Sequence, residues 1–142
     1  MDYIELQNHI QYLDSLVEAD APTISCYLNV TTPYRKSLNG QVRDIMHGLR
    51  QEESAFFWGM LGHVEVFLDT SVRPETKGVA IFGRSGRMPF FLPLQFDTPF
   101  PNSVHFDPVP EISMLVEFRN SLFVPAGDGS GLAVSGIAGY VR

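Results

Sequence analysis

The chain has 142 residues, 44% of them hydrophobic, with eleven Phe, five Tyr, one Trp, a single cysteine and a formal charge of −6. That length and aromatic content predict one domain with its own core and exclude a disordered chain. No apolar run approaches the roughly 20 residues of a membrane span. Residues 1 to 20 hold five acids and no Lys or Arg, unlike a secretory leader, so a cytoplasmic protein with no membrane partner is expected. The acidity also argues against tight, sequence-independent nucleic-acid binding by the whole surface.

From Asp2 to Ala19, Tyr3, Leu6, Ile10, Leu13 and Val17 recur at spacings of three and four, which predicts an amphipathic helix stopped by Ala21-Pro22. Ile24, Cys26, Leu28 and Val30 then alternate with Thr23, Ser25, Tyr27 and Asn29, the period of a central strand with one buried face. Cys26 is thereby placed as a small core residue rather than a nucleophile. Pro33 ends the ladder, and the chain leaves the sheet through a loop over 31–37 that carries Arg35, Lys36 and Ser37. A second helix is predicted from about Gln41. Val42, Ile45, Met46 and Leu49 face inward, while Arg43, His47 and Arg50 share a different face. Arg35, Lys36, Arg43 and Arg50 stand against the lone acid Asp44, a local charge of +3 in an acidic chain.

Gln51-Glu52-Glu53 reads as a polar break, and Ser54 as the cap of a third helix with Phe57, Met60, Leu61, Val64, Phe67 and Leu68 inward. A loop over 69–77 follows. Gly78 to Phe82 and Pro89 to Phe96 are strand-like runs joined by Gly83-Arg84-Ser85-Gly86-Arg87, which predicts a hairpin, and Pro93 marks its second strand as an edge or bulge. Ser103 to Phe106 is a brief strand, and Glu111 to Phe118 a last helix. Residues 120–142 read as strand, Gly-rich turn and strand. The sum is a small layered α/β (α+β) domain over 1–119, with a mixed or largely antiparallel sheet of about four strands, followed by a C-terminal hairpin.

The order of elements and several stretches give the chain a resemblance to the amino-terminal region of the archaeal and eukaryotic class I translation release factors, closest to their bacterial release-factor-like relatives. The stretches are Ser25-Cys26-Tyr27-Leu28-Asn29-Val30, Gly78-Val79-Ala80-Ile81-Phe82-Gly83, Phe91-Leu92-Pro93-Leu94-Gln95-Phe96 and, most specifically, Pro99-Phe100-Pro101-Asn102-Ser103-Val104-His105-Phe106. Residues 121–132 look like the first hairpin of that family's central domain. The resemblance implies a domain that faces the ribosomal decoding centre, with ester hydrolysis assigned to a Gly-Gly-Gln loop elsewhere. Asn39-Gly40-Gln41 lacks the first glycine and reads as helix-start chemistry. Tyr34-Arg35-Lys36-Ser37 keeps only the Lys-Ser pair of the eukaryotic Asn-Ile-Lys-Ser loop, which favours general contact over codon reading.

The expectation is therefore a non-catalytic module that positions a release-factor-like or ribosome-rescue protein on ribosome or tRNA. Its candidate RNA-binding residues are Arg35, Lys36, Ser37, Arg43, His47 and Arg50, because phosphate contacts require charge and reach rather than fixed base geometry. No cofactor or metal is expected: His9, His47, His63 and His105 have no ligand spacing and no partner cysteines. Phe56-Phe57-Trp58 and Phe90-Phe91 are assigned to the core. The alternative is a protein-interaction module or homodimer, pairing through a sheet edge or the terminal hairpin.

Overall fold

A computed structural model describes residues 1–122; the hairpin expected toward the C-terminus lies outside the described residues from 123 onward. The element order is α1 (Tyr3–Asp14), β1 (Thr23–Asn29), α2 (Arg35–His47), α3 (Gln51–Thr70), β2 (Gly78–Arg84), β3 (Phe90–Phe96), β4 (Ser103–Asp107) and α4 (Ser113–Ser121). The four strands form one antiparallel sheet in the order β3-β2-β1-β4. α4 runs to Ser121, past the boundary expected at 119.

β1 is central, as its alternation predicts, but both of its faces are buried rather than one. Ile24, Cys26 and Leu28 join Leu38 and Val42 of α2 and Phe57, Leu61 and Val64 of α3 in one core. Tyr27 points the other way, into a second core with Leu6, Ile10 and Leu13 of α1, Phe82, Phe96, Phe100, and Leu115 and Phe118 of α4. The sheet is thus sandwiched between two helical layers, which is why both phases of its middle strand are buried, the polar Thr23 and Ser25 included. Burial pushes the Cys26 thiol up to about 12, so it stays protonated among its apolar neighbours.

Several helix ends differ from the pattern-based expectation. Asp2 caps α1 by accepting from the Glu5 N–H at 2.8 Å. The helix stops at Asp14, and Val17 is 65% exposed rather than inward. The Val17 carbonyl instead accepts from Arg84 at 3.0 Å, which draws this segment across the end of the sheet. α2 begins at Arg35, about six residues earlier than expected, and runs through Gly40. The helical spacing of buried Leu38 and Val42 offsets the roughly 1 kcal/mol that an interior glycine costs. Gln51-Glu52-Glu53 is the first turn of α3, not a break, because acids there oppose the positive end of the helix dipole. Ser54 is inside α3 and donates back to the Arg50 carbonyl at 3.1 Å.

β2 and β3 form the expected hairpin, with β3 at the edge and Pro93 in its middle. Arg84, read as part of the turn, belongs to β2 and is 1% exposed. Its guanidinium donates to Thr23 Oγ1 at 3.2 Å and to the Val17 carbonyl, and lies over the Phe90 ring. Gly86 turns the link with φ +89°. A Cβ there would sit 2.6 Å from an Asp20 carboxylate oxygen, and the same oxygen accepts from the Arg87 N–H at 2.9 Å.

Candidate nucleic-acid interface

The six candidate residues do not form one patch. Lys36, Arg43 and His47 lie at i, i+7 and i+11 along α2, a single stripe completed by Gly40, and all three side chains are exposed. At the helical rise the stripe spans about 16 Å. A Cβ at Gly40 would meet nothing within 4 Å, so the middle of the stripe is open. Among the described residues, neither Lys36 nor Arg43 takes part in an ion pair.

Arg35 and Arg50 depart from that picture. Arg35 is ion-paired with Asp69, which ties the first turn of α2 to the last turn of α3, and its guanidinium lies over the Tyr34 ring. Both partners of the pair remain about half exposed, at 46% and 59%. Arg50 does not share the face of Arg43 and His47, because α2 ends at His47 and Arg50 precedes α3. Its Nε lies 3.3 Å from Glu53 and its Nη1 3.8 Å from Glu52. Glu53 also accepts from the Arg50 N–H at 3.0 Å, one half of a capping box; the other half cannot form because arginine has no acceptor. These backbone and side-chain hydrogen bonds hold the Glu53 carboxyl below its usual range.

Ser37 faces away from the stripe, toward Gln41, whose Nε2 is 3.4 Å from its hydroxyl. Gln41 itself serves the sheet. Its Nε2 donates to the Asn102 carbonyl at 2.9 Å and its Oε1 accepts from the Val104 N–H at 2.8 Å, as a neighbouring strand would. Within Asn39-Gly40-Gln41 the glutamine is therefore spent on blunting the outer edge of β4.

Trp58 does not join the core to which the sequence pattern assigns it. Phe57 is fully buried as expected, but Trp58, one residue on, is 54% exposed. It lines a groove of about 360 Å³ between α2 and α3, together with Asn39, Val42, Arg43, Met46, His47, Leu61 and Glu65. The available signal was helical phase: Phe57, Leu61, Val64 and Leu68 define the inner stripe, and Trp58 lies about 100° away from it.

Among the described residues no group of three or more His, Cys, Asp or Glu is placed to hold a metal, and no helix is long and apolar enough to cross a membrane. No protein-family model matches the sequence, and no curated protein matches it.

Proposed function

We propose that this domain is a non-catalytic binding module of a release-factor-like protein, one that contacts ribosomal or transfer RNA through the outer face of α2. The observation that carries the reading is the exposed stripe of Lys36, Arg43 and His47, whose two fixed cations have no acidic partner among the described residues. On a surface that is otherwise acidic, such a stripe concentrates attraction for phosphate in one place. Arg35 adds to it when a phosphate displaces Asp69, because an exposed ion pair is worth only about 0–1 kcal/mol. Arg50, held by two glutamates, contributes least. The sequence contains no Gly-Gly-Gln, so peptidyl-tRNA hydrolysis is not assigned to it.

Self-association through sheet edges has less support. Gln41 occupies the backbone groups at the start of β4, and Pro93 removes a donor from β3.

Co-sedimentation with ribosomes and titration with tRNA, at low and moderate salt, test the proposal. Lys36→Glu/Arg43→Glu is expected to weaken binding roughly tenfold or more at low salt. Equal, negligible binding by the wild type and the double variant would overturn it.

A further inference from the structure

We infer that the groove between α2 and α3 seats one unpaired nucleotide, with its base stacked on the Trp58 indole and its phosphate on Arg43. This rests on the RNA reading above and adds a ligand class to it.

Trp58 and Arg43 line the same groove, and Val42, Met46 and Leu61 give it an apolar floor. An exposed indole beside a cation is the combination that holds a single-stranded nucleotide, one group taking the π-face and the other the backbone. Stacking on an aromatic ring is open only to a base free of its own stack, so a duplex cannot use this floor. The volume of about 360 Å³ is near the lower end of the roughly 300–1,000 Å³ typical of ligand sites, room for one nucleotide and not for a helix. Charge complementarity selects the occupant: Arg43 and His47 border the groove, and Lys36 extends the same stripe toward the start of α2. Glu65, the groove's acid, and the Asn39 amide offer an acceptor and a donor for the base edge. Because affinity comes from stacking and phosphate charge rather than from a fixed set of base-edge hydrogen bonds, the site tolerates different bases.

Trp58 is the only tryptophan in the sequence, so its fluorescence reports on this groove alone. The experiment titrates the full chain with a 12-nucleotide oligoadenylate and with a duplex RNA of the same length, at low salt. The single strand is expected to quench Trp58, to bind more tightly than the duplex, and to lose roughly 5- to 150-fold in affinity in Trp58→Ala. Because Trp58 is exposed, the fold should tolerate the change, and Trp58→Phe should recover part of the loss. RNA binding that is weakened by Lys36→Glu/Arg43→Glu but unchanged in Trp58→Ala would overturn the nucleotide seat and leave the RNA reading standing. No binding of either RNA would overturn both. Quenching by an acidic peptide, with none by RNA, would assign the groove to a protein partner and overturn the inference.

Discussion

The two faces of the sheet are built from different materials. The α1/α4 side is aromatic: Tyr27 packs edge-on against Phe82 and Phe100, and Phe96 against Phe100 and Phe118, with centroids 5.0–5.7 Å apart. The Tyr27 hydroxyl donates to the Glu111 carbonyl at 2.6 Å, and Ser25 Oγ accepts from the Glu111 N–H at 2.9 Å, which pins the segment before α4 to β1. The α2/α3 side is mainly aliphatic, with Ile24, Leu28, Leu38, Leu61 and Val64 around the Phe57–Phe106 ring pair. It alone carries the cationic stripe and the groove with the exposed tryptophan. The network of rings makes the first side an anchor, while mainly aliphatic, more interchangeable side chains leave the second free to shape its outer surface.

Breaking the aromatic side should have the largest effect. Phe96→Ala is expected to cost about 3–5 kcal/mol, read by urea unfolding, and a loss below about 1 kcal/mol would remove the anchor. Two glycines of β2 sharpen the same point. At Gly78 a Cβ would fall 2.2 Å from the Thr98 carbonyl and 3.0 Å from Pro99 Cα, both backbone, on the aromatic side. At Gly83 it would meet the Met60 sulfur at 2.4 Å, the far part of a flexible side chain on the other side. Gly78→Ala should therefore destabilise by about 1–3 kcal/mol, and Gly83→Ala by clearly less, in paired thermal melts.

Smaller effects test the outer surface. Asp69→Asn releases Arg35 to the stripe and should raise RNA affinity about two- to fivefold at low salt, since the pair it breaks is worth at most about 1 kcal/mol. Unchanged affinity would mean that Arg35 contributes nothing. The smallest effect concerns Glu111, whose carboxylate accepts from the Ser113 hydroxyl and from the Ser113 N–H at 3.0 Å, and is held below its usual range by those bonds. A depressed folded-state value means that its stabilisation is present above about pH 4.5 and is lost as the pH falls through the lower folded value. In Glu111→Gln that part of the acid slope should vanish from melts between pH 6 and 3.

Much of the architecture was legible because it is written in local pattern. The alternation of 23–30, the Gly-rich link of the hairpin and Pro93 on its edge each report a backbone constraint close in sequence. What the pattern could not carry was the partner that decides an ambiguous stretch. Gly40 reads as part of a helix start, but the packing of Leu38 and Val42 on the sheet carries the helix through it, and Arg50 reads as part of α2, but Glu52 and Glu53 hold it at the next helix. Arg35 pairs with Asp69, 34 residues away, and no spacing rule reaches that far. The site was half legible: the stripe follows from helical periodicity, whereas Trp58 was absorbed into the core by its neighbour Phe57.

The salt dependence of RNA binding tests the central claim most directly. If Lys36 and Arg43 each engage a phosphate of a single strand, Lys36→Gln/Arg43→Gln should flatten the slope of log K against log salt by about 1.4. A double variant whose slope matches the wild type would contradict the cationic stripe as the RNA contact.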